Sequence, residues 1–230
     1  MPSDALSQLE LGLEEVRRLR GYVREPNPNM AKNDRAQFSI TARRACVVLL
    51  CSHYERYLYG LNESLIDVLN QTAPRPDLLR SQMLLRQIKV PLEILTTRDW
   101  TQREDQLKEL FKKYNSHWTP GAGVTGLDAD ANIAWMKSPK VKDVLRLFKM
   151  FGIDDIIFAV TRTDSARRDL KRELQGLVDA RNGIAHGDQT IQPSGPELTK
   201  YLDSVARFCG RADKYASQSL SKQLGIARPW

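Results

Sequence analysis

The segment Leu177-Val-Asp-Ala-Arg-Asn-Gly-Ile-Ala-His-Gly-Asp188 sets the reading of the whole chain. Upstream of it, Leu170, Leu174 and Leu177 recur at alternating four- and three-residue spacing, the stripe of an amphipathic helix. Continued, the stripe passes through Arg181 and Ile184. An arginine therefore falls where the pattern asks for an apolar side chain. A guanidinium is always charged and costly to bury alone. Arg181 is expected to face an internal carboxylate, a partner subunit or a bound anion. Five residues on comes His186, followed by Gly187, where a helix is expected to end in the left-handed conformation.

Histidine has an ordinary pKa suited to proton transfer near neutrality, and the planar fork of arginine suits phosphate. Together at a helix end they point to phosphodiester chemistry. The plainer alternative is that His186 complements the negative helix terminus, Gly187 caps it and Arg181 makes a structural ion pair.

Arg181-Asn182-Gly-Ile-Ala-His186 resembles the R-x4-6-H motif of the HEPN superfamily, in the RNxxAHG form of its RiboL-PSP-like branch. The context is similar too: a long apolar helix near the start, a helix ending in Phe151-Gly-Ile153, the motif, then a last helix. The resemblance covers roughly residues 36 to 224. It implies an all-α fold, a single-domain antiparallel helical bundle with a long central helix, to which a helix over residues 3 to 24 is an extension. It also implies a metal-independent endoribonuclease acting as a homodimer, with a composite site at the two-fold interface. Such enzymes serve as toxins or as anti-phage and stress effectors, a role that brings in an antitoxin or regulatory protein as a further partner. The alternative within the same resemblance is a non-catalytic HEPN module that binds RNA or a nucleotide, or that serves as a dimerisation scaffold. A third reading is an α-helical partner-binding protein with no nucleic-acid role.

Composition agrees with a folded domain. Hydrophobic residues make up 41% and charged residues 27% of the 230, and no repeat or low-complexity tract divides the chain. The net charge of +7 favours an anionic partner, nucleic acid being the commonest. Cys46, Cys51 and Cys209 show no CxxC spacing and read as reduced core thiols. The N-terminus is acidic and amphipathic rather than a signal peptide. The longest strongly apolar run, Ala45 to Cys51, is too short to span a bilayer, so the expected location is cytoplasmic.

In chain order, Ser3 or Asp4 can cap a first helix with Leu6, Leu9, Leu13 and Val16 on its apolar face. Arg17, Arg18, Arg20 and Arg24 crowd its far end, and Pro26-Asn-Pro-Asn29 reads as a loop. A long helix is expected from about Phe38 to Asn70, apolar on every side between Ala45 and Cys51. Within it, Glu55 has Cys51, Leu58 and Tyr59 as helical neighbours, so partial burial is expected, and a buried carboxylate wants a cation. Arg181 is one candidate, since an acidic residue in the early helix is common among HEPN proteins. Arg43, Arg56 or another surface base is the other. His53 reads as a surface or packing residue.

Asp77 is expected to cap a helix that Pro91 interrupts, and Thr101-Gln-Arg-Glu104 reads as a capping box with Leu107, Leu110 and Phe111 facing inward. Gly121-Ala-Gly-Val-Thr-Gly126 satisfies GxGxxG but lacks the preceding strand that a nucleotide fingerprint needs, and reads as a loop. His117 and Trp118 before it read as a surface pair. Ser138-Pro139 should open a helix to Phe151, and Ile156 to Val160 fits either a helix or an extended piece. Arg167, Arg168, Lys171 and Arg172 lie on the motif helix away from its leucines, either as a solvated face or as a guide for RNA. A loop over residues 191 to 196 and a last helix to Leu224 close the chain.

The chemistry that the resemblance implies uses the nucleophile RNA carries itself, the 2′-hydroxyl. A proton-transfer group and a cation on the phosphorane are then needed. His186 takes the first role and Arg181 the second. Asn182 would orient the imidazole or bind phosphate, and Asp188 would pair with either base. No cluster at metal-ligand spacing is visible, and neither a metal nor another cofactor is expected. Five residues on a helix are about 140° apart in rotation, so one copy aims both side chains at one phosphate only if the helix ends between them. A two-fold dimer would supply the second pair.

Overall fold

The computed structural model describes residues 1–24, 31–97 and 99–230. The Pro26 to Asn29 loop and the side chain of Arg24 lie outside the described residues. The fold is all-α, with nine α-helices and no strand among the described residues.

Helix α1 (Asp4–Arg24) is capped by Ser3, whose hydroxyl accepts the Leu6 N–H at 3.0 Å. Leu9, Leu13 and Val16 are buried along its inner face. It lies antiparallel on α2 (Lys32–Thr72). Gly60 comes against Ala5, and Gly12 meets the ring of His53 so closely that a Cβ there would lie 2.4 Å from Nδ1. Helix α2 starts six residues before the expected Phe38. Ala31 is extended at φ −59° and ψ 149°, Asp34 sits in the first turn where it complements the helix dipole, and nothing up to Phe38 breaks the helix. Cys46, Val47, Leu50 and Cys51 are buried in its middle, but Ala45 is exposed and Val48 and Leu49 are half-buried. The expected burial on every side is therefore not met, and one edge of this segment stays open.

Two further long helices, α8 (Asp164–Ala185) and α9 (Gly195–Leu224), complete a four-helix bundle. Asp213 of α9 accepts hydrogen bonds from the backbone and hydroxyl of Ser3, while Arg20 reaches Thr199 at 2.9 Å, so α1 and α9 are antiparallel. Tyr57 of α2 donates to the Cys209 carbonyl at 3.0 Å, and Tyr54 meets Phe208 edge-on at 6.2 Å. Phe148 closes on the other side of Phe208 at 6.4 Å. One contiguous apolar cluster runs from Leu6 to Leu220. Ser194 and Glu197 form a reciprocal capping box at the start of α9, which places Pro196 inside the helix rather than in the loop. Gly225 ends α9 at φ 67°.

The segment between α2 and α8 carries α3 (Ser81–Thr97), α4 (Trp100–Tyr114), α5 (Ala129–Ile133), α6 (Val141–Met150) and α7 (Ile156–Val160). Several details differ from expectation here. Asp77 pairs with Arg75 at 2.8 Å in a short 3₁₀ turn, and α3 begins only at Ser81. Pro91 sits within α3, which runs on to Thr97: the ring removes one N–H, and the flanking turns continue. Helix α4 starts at Trp100 with Asp99 at its N-cap, so Thr101 lies inside the first turn and forms no capping box. Phe111 is 67% exposed because α4 packs chiefly on α3, and one neighbour covers only a narrow stripe. His117 is buried, stacked on Tyr114 at 5.1 Å, and burial lowers its pKa; only Trp118 of that pair is exposed. Helix α6 opens at Val141 after Lys140, leaving Ser138 and Pro139 outside it. The Gly121 to Gly126 segment is coil preceded by a helix and a turn, and the Val124 N–H pins it to the Pro74 carbonyl at 2.9 Å. The Ile156 to Val160 run is helical, with Asp155 accepting the Phe158 N–H at 2.8 Å. No described helix is long and apolar enough to cross a membrane.

Phe208 is fully buried between two aromatic rings, so Phe208→Ala is expected to destabilise the fold by about 3–5 kcal/mol. Urea unfolding should show a lower midpoint at an unchanged slope.

Candidate functional site

The motif occupies the last turns of α8. Thr163 caps the start of that helix, accepting the Ala166 N–H at 3.2 Å. At the far end His186 is the C-cap residue, with φ −84° and ψ 6°, and Gly187 takes φ 85°. The Gly187 N–H bonds the Ile184 carbonyl at 3.1 Å, and the Asp188 N–H reaches back to the Gly183 carbonyl at 3.0 Å. These two bonds make a Schellman end, in which the left-handed residue is most easily a glycine. Ile191 then folds over Gly183, where an added Cβ would come within 2.1 Å of its Cδ1.

Leu170, Leu174, Leu177 and Val178 bury the inner face of α8, and the same stripe carries Arg181 towards α2. There its Nη2 donates to the Glu55 carboxylate at 2.5 Å, with side-chain exposures of 22% and 24%. Its Nη1 donates to the Asn182 side-chain oxygen at 3.1 Å. Cys51, one turn before Glu55, is buried near enough to the guanidinium to feel its charge. Burial pushes the Cys51 thiol up to about 11, with Arg181 working in the opposite direction. Glu55 therefore pairs with Arg181, while Arg56 pairs with Glu63 at 3.3 Å.

The structure thus brings Glu55, Arg181 and Asn182 together. His186 forms no hydrogen bond or ion pair with them: α8 continues through Ala185, and His186 is exposed with no bonding partner among the described residues. The Asp188 carboxylate meets neither Arg181 nor His186. It accepts from the N–H and hydroxyl of Thr190 at 2.8 and 2.6 Å, bonds that lower its pKa. Arg44, which sequence reasoning overlooked, donates from Nη1 to the carbonyls of Asp188 and Ile191, each at 2.7 Å. Arg44, Cys51 and Glu55 are spaced seven and four apart, which puts all three on the face of α2 beside the motif. That spacing was the available signal for both Arg44 and Cys51.

Along α8, Arg168 and Arg172 are exposed, whereas Arg167 and Lys171 are half-buried. Arg172 pairs with Asp169 at 2.9 Å and with Glu173 at 3.2 Å. Arg167 pairs with Asp164 at 2.6 Å and lies over the Phe158 ring. His53 bonds Glu15 at 3.1 Å on the α1 side, away from the motif. Among the described residues no group of three or more His, Cys, Asp or Glu is placed to hold a metal ion.

A family model described as RiboL-PSP-HEPN matches residues 14–218, from within α1 to within α9. Comparisons with curated proteins and with solved structures found no match.

Two measurements test this geometry. In a double-mutant cycle of Glu55→Ala and Arg181→Ala, the Glu55→Ala step is expected to cost about 1.5–3 kcal/mol where Arg181 is present, and less where it is absent. Additive losses would mean that the pair does not couple. Cys46, Cys51 and Cys209 are all buried, so the native protein should resist a thiol-specific reagent at pH 8 and expose all three on unfolding.

Proposed function

The chain belongs to the RiboL-PSP-HEPN family, and from that premise we propose that it is a metal-independent endoribonuclease. The observation that carries this reading is the division of the motif. Glu55 and Asn182 orient the Arg181 guanidinium between α2 and α8, and His186 stands exposed at the end of the same helix. A fork of N–H donors can hold the non-bridging oxygens of a phosphate, and an exposed imidazole can carry protons near neutral pH.

In the proposed reaction the 2′-oxygen attacks the adjacent phosphorus and loses its proton to a base. The bond from phosphorus to the 5′-oxygen then breaks, and that oxygen takes a proton from an acid. The products are a 2′,3′-cyclic phosphate and a 5′-hydroxyl. Arg181 offsets charge building on the phosphorane, and His186 moves a proton. Because α8 does not end between the two residues, they diverge by about 140° in rotation. A homodimer resolves this, since a two-fold axis beside the motif would set two copies of Arg181 and His186 around one phosphate. One imidazole would act as base and the other as acid. We read the chain as one HEPN-like domain with α1 as its extension. A toxin or anti-phage and stress effector, held by an antitoxin or regulatory protein, is the biological role that fits such an activity.

A second reading is a non-catalytic HEPN module that binds RNA or dimerises. It is favoured to the extent that Arg181 is already satisfied by Glu55 and Asn182. The roles are separated by incubating wild type and His186→Ala with end-labelled RNA in EDTA. Cleavage leaving cyclic-phosphate ends, reduced at least a hundredfold in the folded variant, is the expected result. Equal cleavage by both proteins would remove His186 from the site, and no cleavage by either would favour the binding module.

A further inference from the structure

At the opposite end of α8 from the motif, α9 presents Arg207, Arg211, Lys214 and Gln218 at four-, three- and four-residue spacing, a single helical face. Two clefts open along it. The first, about 310 Å³, lies between Arg207 and Arg211 and the hydroxyl-bearing Thr163 and Ser165. The second, about 270 Å³, is lined by Arg162, Lys214 and Tyr215. Both include Val160, Thr161 and Arg211, so they adjoin as two arms of one groove that meet at the Arg211 side chain. Arg162, Arg207, Arg211 and Lys214 are all exposed, and none has an ion-pair partner among the described residues. Arg211 spends one donor on the Val160 carbonyl at 2.9 Å. The one carboxylate on the groove wall, Asp169, is engaged by Arg172 at 2.9 Å.

The groove also carries an aromatic face, that of Tyr215, which is 38% exposed on its wall. Unpaired cations tracking a groove, with an aromatic ring beside them, are the combination that holds a single-stranded nucleic acid: the cations meet phosphates, and the ring stacks on a base. An acidic protein segment would need the cations but would gain little from the ring. We infer that this groove is a binding site for a single-stranded segment of RNA, separate from the cleavage motif. On α8 the groove wall ends at Leu170, 11 residues before Arg181, so it lies at least about 16 Å from the motif along the helix. It engages RNA several nucleotides away from any scissile bond, and it adds affinity for long RNA alone.

The inference rests on the RNA reading above, but it is read by binding and so stands or falls separately from cleavage. Arg162→Ala, Arg207→Ala and Lys214→Ala are combined in the His186→Ala background, with Arg211 retained because it ties α7 to α9. Affinity for a 20-nucleotide single-stranded RNA is then measured across a salt series. The slope of log affinity against log salt is expected to fall by about 2, close to 0.7 for each of three phosphate contacts. Tyr215→Ala should weaken binding at least about fivefold and leave the slope unchanged. In the His186 wild-type background, the triple variant should cut a dinucleotide such as UpA at the original rate while losing activity on the 20-mer. If the triple variant keeps its salt slope, or if polyglutamate binds as tightly as the RNA and ignores Tyr215→Ala, the groove is not an RNA site. If no RNA is cut by any form but the binding results hold, the ribonuclease reading fails and the groove remains.

Discussion

The ion pair between Glu55 and Arg181 fixes how the motif helix lies on the long helix. Charges buried alone are expensive, and a pair removed wholly from water often gains little. This one lies between those limits, with about a quarter of each side chain still exposed. Water offsets part of the desolvation, and a short charge-assisted bond supplies the rest. Its larger consequence is register. Arg44, three turns before Glu55 on the same face of α2, holds the carbonyls just beyond the motif. Helix α8 cannot slide or roll against α2 without breaking contacts at both places, and His186 lies between them in sequence.

The bundle was legible because its signals are strong and local. The apolar stripes of α1, α8 and α9, the hydroxyl caps at Ser3 and Thr163, and the glycine stops at Gly187 and Gly225 each need only a few residues to read. The segment from Asp77 to Phe151 was read less well, for a physical reason. Its helices are short or have few neighbours, so tertiary context decides their ends and faces. Phe111 shows this: the pattern turned it inward, but only α3 was there to cover it. His117 shows the reverse, a polar residue taken for surface that is buried against Tyr114. The start of α2 was placed late because Lys32 to Gln37 carries no apolar periodicity, although nothing in it opposes a helix.

At the site, one irregularity in the pattern was informative: a charge in an apolar stripe. It called for a counter-charge, and of the bases weighed for Glu55 it was Arg181 that the fold brought to it. Asp188 was misjudged because its own turn satisfies it, with Thr190 supplying two donors two residues away. Local bonds of this kind compete with longer-range pairing, and sequence spacing alone does not rank them. Arg44 escaped notice because it binds main-chain carbonyls, which leave no pattern in side-chain types.

Helix α2 has a consequence of its own length. At 41 residues it extends about 60 Å, and its first turns, from Lys32 to about Thr41, are mostly exposed. A helix segment of that size is marginal in water by itself, so it persists only by propagation from the packed turns beyond Ala42. Opening should therefore proceed from one end, cheaply near Lys32 and at close to the full cost of unfolding by Leu50. The reach of the helix and its local stability are thus graded in opposite directions, and of the residues that hold the motif Arg44 lies on that slope, while Cys51 and Glu55 lie beyond it.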